Sequence, residues 1–359
     1  MDDHVDGLSQ TGAGNMNPNL PKLDDLLACP VDGSPLARQG EEWVSAAGRR
    51  YPTIQGVPVL FHSHAADTLS VMAQSRALAS KVGGHEDDPW CVDTLGLNDC
   101  QKAPLLEALR RGGETVDPVV AQMIAATCGN LYLSLVGKLP RYPTPNFRLA
   151  NGAGRLLVDL GCNWGRWCLA AAKEGFAVVG VDPQIGAVLA ARRVAEQLGV
   201  KGHFICADAR YLPLRSGVAD VVFSYSVIQH LSREDVSKVI ETSNRVMKPG
   251  ARLFVQMPNV MGTRCFYQWA KRGFHDGTGF NVRYWTLGQL REAFGKIGVT
   301  RFEIDCFFGI GLQPTDADLM PPKWRLLLKV SEMLRRLESI VPGLAWVADS
   351  VYVDVTKKA

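Results

Sequence analysis

The chain has 359 residues, 47% of them hydrophobic, and a formal net charge of +3. That is enough apolar material for a substantial core and two or three units, and the balanced charge argues against a nucleic-acid binder, which concentrates basic residues on one face. No uncharged stretch approaches the roughly 20 apolar residues of a membrane span.

Nine cysteines are scattered without regular spacing. Cys162, Cys168 and Cys206 fall in or beside apolar runs, so they read as buried thiols in a reducing compartment. The first stretch, MDDHVDGLSQTGAGNMNPN, is acidic and lacks an apolar run. It is expected to be a disordered tail over residues 1–20 rather than a secretory signal, and a cytoplasmic protein is expected.

From Leu23 the text changes to LDDLLACPVDGSPL and then EEWVSAAGRRYPTIQGVPVLF. The pieces L-x-C-P, P-L, G-R-R-Y-P and G-V-P-V-L resemble the small zinc-ribbon domain that serves as an activator subunit of methyltransferases and is fused to others. The resemblance implies two C-x-x-C pairs. Here Cys29 stands with Asp32 at its partner position, and VSAAG supplies no thiol for the second pair. One thiol and one carboxylate fall short of the four ligands a structural zinc site needs. Residues 21–64 are therefore expected to form a metal-free, β-rich ribbon domain held by Leu27, Trp43, Tyr51, Ile54, Val57, Val59 and Phe61.

Residues 65–150 are expected to be a helical linker or cap, with helices over Thr68–Val82 and Lys102–Arg111 and one or two more in Val119–Leu139. The cluster His85, Asp87, Asp88 reads as a solvated loop rather than a metal site.

The organising stretch is RLLVDLGCNWGRW, Arg155 to Trp167. An apolar run of the kind found in a doubly covered parallel strand leads into a turn bracketed by Gly161 and Gly165, followed by a helix. Glycine lets the backbone bend sharply and lets a ligand approach bare peptide groups. The pattern D-x-G-x-x-x-G differs from the G-x-G-x-x-G of dinucleotide sites, and Asp159 precedes the first glycine by two. An acid there would repel a pyrophosphate and suit a cation. An ordinary strand-loop-helix corner is the plain alternative.

Next comes AVVGVDP, ending in Asp182 and Pro183, 23 residues beyond Asp159, which fits one βαβ unit presenting an acid to ribose hydroxyls. HFICAD carries Asp208 and Ala209 at its end, ADVVFSYSVIQHL carries Ser224 and Tyr225, and VMKPGARLFVQMP gives a fifth strand. FEIDCFFG and SVYVDVT supply a sixth and a closing seventh strand.

This order resembles the class I S-adenosylmethionine-dependent methyltransferases that act on small molecules, densely over Arg155 to Pro258, with MKPGA in place of a final L-K/R-P-G-G. The resemblance implies a doubly wound α/β Rossmann-like sheet of seven strands, the last antiparallel, over residues 151–359. It implies S-adenosylmethionine as cofactor. Asp159, Gly161, Asn163 and Gly165 would form the methionine end of its site, Asp182 and Pro183 the ribose end, Asp208 and Ala209 the adenine end, with Ser224 and Tyr225 beside them.

For a base, His230 is the first candidate because of its position after strand four and its ordinary pKa near 6.5. LSRED places an N-cap directly after it, so local packing is the rival reading. An insertion over residues 260–285 is the expected acceptor wall, with Tyr267, Arg283, Tyr284 and Trp285 as substrate contacts and His275 with Asp276 as the alternative base pair. A second insertion, residues 312–348, holds the amphipathic stretch Lys323–Val341, which reads either as packed on its own domain or as a basic helix on an anionic membrane.

The expected function is methyl transfer to a small-molecule or glycan-intermediate acceptor at oxygen or nitrogen. The alternatives are a non-catalytic binding protein on the same fold, or an RNA or protein methyltransferase.

Overall fold

The computed structural model describes residues 20–80, 88–341 and 343–358. The expected tail and the residues His85 and Asp87 lie outside them. Eleven strands form the sheet: β1 (Leu36–Gln39), β2 (Glu42–Ser45), β3 (Arg50–Ile54), β4 (Val57–Leu60), β5 (Leu156–Leu160), β6 (Ala177–Asp182), β7 (Gly202–Ala207), β8 (Ala219–Ser224), β9 (Met247–Pro258), β10 (Gly298–Cys306) and β11 (Ser350–Lys357). Their order is β1-β2-β3-β4-β7-β6-β5-β8-β9-β11-β10.

Strands β4 through β9 in that order run parallel to one another, and β11 pairs antiparallel with both β9 and β10. Every residue of β5 and β6 is buried, and alternate residues serve opposite faces, as period-2 geometry requires. Leu157 and Val178 pack beneath the helices Pro118–Cys128, Arg166–Lys173 and Ile185–Gln197. Leu156, Val158 and Val179 pack against the helices Arg233–Val246 and Leu287–Phe294. Parallel strands of this kind need such cover on both sides.

Residues 151–359 carry the seven strands expected of them, β5 to β11, with β11 antiparallel. One expectation is corrected: the residues expected to make a separate ribbon add four strands that continue the same sheet, which therefore holds eleven. Val59 and Leu60 of β4 pair in parallel with Cys206 and Ala207 of β7. Leu27 bridges to Leu214, and Ala28 donates to the Pro213 carbonyl at 3.0 Å. The apolar residues of this segment divide between two cores: Ile54, Val57, Val59 and Phe61 join one face, Leu27, Trp43 and Tyr51 the other. A four-stranded meander too small for its own core is thereby stabilised by the larger one.

At the positions where ribbon ligands were considered, Cys29 Sγ lies 3.1 Å from the Tyr51 hydroxyl. Asp32 accepts from the Ser34 hydroxyl at 2.6 Å and from Arg49 at 2.5 Å. The bonds from Ser34 hold the Asp32 carboxyl down at about 2. Among the described residues no group of three or more His, Cys, Asp or Glu is placed to hold a metal ion. Nor is any helix among them long and apolar enough to cross a membrane.

The cap is helical over Ser70–Ala79, Asp99–Arg111 and Pro118–Cys128. It docks through polar contacts on the helix that follows β6: Ser75 accepts from the Ile185 amide at 3.1 Å, and Thr94 from the Gly186 amide at 3.0 Å. The second insertion is fastened by a buried ion pair, Arg166 to Asp316 at 2.5 Å. Tyr132 donates to the same carboxylate at 2.5 Å, and Arg166 also donates to the Pro143 carbonyl at 2.7 Å.

Candidate active site

The carboxyl ends of β5 to β8, four neighbouring parallel strands, lie side by side at one edge of the sheet. Most residues at these ends are buried; Gly161, Asn163, Pro183, Ala209 and Tyr225 are partly exposed and mark the rim of the candidate crevice. The turn after β5 uses the left-handed region three times, at Gly161 (φ +75°), Asn163 (φ +47°) and Gly165 (φ +83°). Asparagine tolerates that region where most residues do not. A side chain at Gly161 would place its Cβ 2.4 Å from a Val227 methyl, so the loop after β8 lies directly against the turn.

Asp159 is 1% exposed, and its hydrogen-bond partner is the Cys168 thiol at 3.4 Å. Burial lifts its carboxyl to about 7, and the neighbouring Asp182 charge adds to the rise. Among the described residues no cation pairs with it. Asp182 accepts the Asn163 amide at 3.0 Å and the Gln184 amide at 2.9 Å, so it braces the turn as well as the end of β6. Burial raises it to about 6 against the effect of those amides. Asn163 turns its side-chain oxygen to the Trp164 amide and the Thr127 hydroxyl, at 2.9 and 3.0 Å, leaving its backbone at the crevice.

Other expected contacts are already occupied. Arg210 holds the Asp208 carboxylate at 2.7 Å and reaches Asp235 at 3.1 Å, so that carboxylate is already engaged within the protein. Ser224 is fully buried and donates to the Leu160 carbonyl at 2.9 Å; it pins β8 to β5 and is not a ligand contact. Tyr225 packs its ring 4.6 Å from that of Trp167 and donates to Asp305 at 3.2 Å.

Sequence reasoning missed the polar cluster behind that tyrosine. Asp305 also accepts from Ser350 at 3.0 Å and lies 3.4 Å from Arg148, and the Gln256 side chain accepts the Ser226 amide at 2.8 Å while donating to Ser350. Ser226 itself is left-handed at φ +61°. The cluster therefore clamps the β8 loop onto the ends of β9, β10 and β11. The only sequence signal was a polar residue at the end of each of these apolar strands.

Neither expected base is poised as one. His230 Nδ1 is 2.7 Å from the Phe280 carbonyl, its ring stacks on Phe280 at 4.0 Å, and Gln229 lies 3.3 Å from Nε2. Burial lowers its pKa, and the ring joins two loops. His275 and Asp276 are both exposed, and Asp276 pairs with Arg233 at 3.4 Å.

The acceptor wall is also redrawn. Trp285 is buried with the Arg233 guanidinium 3.7 Å over its ring, a core position rather than a substrate contact. Arg283 donates to the His230 carbonyl at 2.5 Å, and Tyr284 is half-buried with Arg272 5.5 Å over its ring. Tyr267 alone of the four stands fully open to solvent, at 62% exposure.

The geometry agrees with a family match. Residues 157–250 match the family described as "Methyltransferase domain". This stretch is a methyltransferase domain of the class I, S-adenosylmethionine-dependent kind. A ubiquinone biosynthesis O-methyltransferase of Bartonella bacilliformis is 24% identical over 167 residues, 43% of this chain and 66% of that protein. One from Chelativorans sp. is 28% identical over 131 residues, 34% of this chain and 51% of that protein. The chain thus spans about half to two thirds of the length of these curated relatives. A chain from the complex between the Haloferax volcanii Trm112 methyltransferase activator and a methyltransferase superposes with a TM-score of 0.41 at 17% identity, covering 59% of this chain and 86% of that one.

The methyltransferase crevice fits its cofactor by the chemistry of its groups. A buried carboxylate without a cation suits an ammonium.

Proposed function

We propose that the whole chain transfers the methyl group of S-adenosylmethionine to a small-molecule or glycan-intermediate acceptor, with oxygen the favoured atom. The observation that carries this reading is Asp159, a carboxylate 1% exposed with a thiol for its partner. Burying a charge without a counter-charge is costly, and a cationic ligand at the turn removes that cost. The relatives named as O-methyltransferases support oxygen over nitrogen.

In this reading Asp159 and the backbone of the turn lie at the methionine end and Asp182 at the ribose, while Ala209 lies beside the adenine; the turn amides from Gly161 to Gly165 are already bonded within the protein. When bound, S-adenosylmethionine supplies a methyl already activated by its sulfonium. What remains for the protein is alignment and exclusion of water, which contribute about 7 to 11 kcal/mol in well-oriented reactions. Tyr225 and Ser226, clamped by Gln256 and Asp305, set the acceptor side of the crevice. His230 is a positioning residue that ties the first insertion to the β8 loop.

Isothermal titration with S-adenosylmethionine and its demethylated product tests the cofactor site. Absence of binding by well-folded protein would overturn the reading. Transfer of labelled methyl in a lysate, with identification of the labelled compound, then names the acceptor.

A further inference from the structure

Large apolar side chains exposed to water are unevenly placed on this molecule. Fourteen stand exposed among the described residues, and eleven of them lie within residues 260–285 and 312–348. Single exposed apolar residues need no explanation, whereas a concentration of them marks an interaction surface.

The two segments adjoin. Asn259, just before the first, donates to the carbonyls of Trp346 and Ala348 at 2.9 Å each, and the Arg264 amide donates to Asp349 at 2.7 Å. Both leave the sheet where β5 to β8 carry the cofactor residues: the first follows the carboxyl end of β9, and the second lies between the end of β10 and the start of β11. The exposed faces therefore border the mouth of the crevice.

Their pattern identifies what they fit. The helix Pro322–Arg336 buries Leu328 and Ser331 and turns the stripe Lys323, Leu326, Lys329, Met333, Arg336 outward, with Ile340 continuing it. These positions recur every three or four residues and so share one face. Leu326 is 65% exposed and Ile340 74%. No ion pair engages Lys323, Lys329 or Arg336 among the described residues, and the nearby Glu332 is taken by Arg335 at 2.6 Å. The helix Thr263–Lys271 buries only Cys265 and presents Phe266 and Tyr267. Residues 260–285 carry four Lys or Arg against one acid, and 312–348 carry five against four. The two together hold a net charge of +4, while the whole chain has +3.

A surface meant for another protein excludes charge from its centre. Here bases alternate with apolar residues, and aromatic side chains flank them, which is the composition of a face lying at the boundary of headgroups and acyl chains. We propose that the two insertions form a docking surface for an anionic lipid membrane and hold the mouth of the crevice against it. On the methyltransferase reading above, this makes the acceptor an amphiphile that reaches the crevice from the lipid.

The test is co-sedimentation of the full chain with vesicles of phosphatidylcholine containing 30% phosphatidylglycerol, and with phosphatidylcholine alone. Binding is expected to the anionic vesicles, weakened in 0.5 M salt. The variant Leu326→Ser/Ile340→Ser/Trp346→Ala, whose changes all fall on exposed side chains, is expected to lose at least tenfold in vesicle affinity with an unchanged melting temperature. Lys329→Glu/Arg336→Glu is expected to abolish the preference for anionic vesicles. Equal, weak sedimentation with both kinds of vesicle overturns the proposal. So does a concentration-dependent dimer in sedimentation velocity that the apolar variant dissolves, with no vesicle binding, since the face would then be an interface between copies. Titration with S-adenosylmethionine in the absence of vesicles is independent of these outcomes, so failure of the docking surface and failure of the cofactor site are told apart.

Discussion

Gly161 and Val227 meet so closely that a single added carbon at Gly161 would fall 2.4 Å from the valine methyl. The contact joins the turn after β5 to the loop after β8. Gly161→Ala is expected to destabilise the protein by about 1 to 3 kcal/mol, from the left-handed backbone at φ +75° and from the overlap. Cofactor affinity is expected to fall at least tenfold in calorimetric titration. Wild-type affinity in a stable variant would mean that the turn can relax without consequence.

Asp182, proposed above to meet the ribose, also holds the backbone of the turn. It accepts two backbone amides, so Asp182→Ala should lower stability by about 1 to 3 kcal/mol for the groups left unpaired as well as weaken cofactor binding by one to two decades. The two amides fall on different carboxylate oxygens, so Asp182→Asn keeps an acceptor for only one of them; its melting temperature should fall less than that of Asp182→Ala while its affinity drops.

Burial lifts Asp159 to about 7 and Asp182 to about 6, above the ordinary carboxylate value. The folded chain thus keeps protons that the unfolded chain has already released. These groups favour the fold fully below about pH 4, and that contribution is lost as pH rises to about 7. Asp159→Asn should therefore raise the melting temperature of the cofactor-free protein at pH 8 and leave it nearly unchanged at pH 4. Affinity for the cationic cofactor should climb between pH 5.5 and 8, by up to about tenfold per unit. A flat titration across that range would remove Asp159 from the site.

The Arg166–Asp316 pair is buried on both sides. Asp316→Ala strands the guanidinium and is expected to cost about 3 to 5 kcal/mol in urea denaturation, whereas Arg166→Met combined with Asp316→Leu should cost much less. Equal losses would show that the pair matters through packing alone.

For the amino-terminal strands, elemental analysis of purified protein should find no stoichiometric zinc, and a chelator should leave the melting temperature unchanged. A metal-dependent ribbon unfolds when stripped. One zinc per chain, lost with thermal stability in Cys29→Ser, would mean that Asp32 is drawn away from Arg49 to complete a ligand set.

What could be read in the sequence was what short-range pattern decides. The apolar run Leu156–Leu160, the bend at Gly161 and the acids at the ends of β5 and β6 follow from local periodicity, and Ser232 caps its helix by accepting the Asp235 amide at 3.0 Å. What could not be read depends on residues far apart. Arg166 finds Asp316 across two insertions, and β4 finds β7 across the whole cap. Arg166 offered one clue, a base inside the apolar helix sequence RWCLAAAK, but nothing nearby pointed to its partner. Aromatic residues gave the least direction, since Trp285 in the core and Tyr267 in solvent look alike as letters.

The pairing of β4 with β7 also decides how the chain can be cut. Were the molecule shortened to begin near residue 151, β7 would be left as an open border of the sheet, with its unpaired amides and carbonyls in line and apolar side chains above and below. Such a border recruits strands from other molecules. The strands β1 to β4 thus act as a sealing strip against self-association, and a shortened catalytic half is expected to precipitate or form higher oligomers although every residue of the turn after β5 is retained.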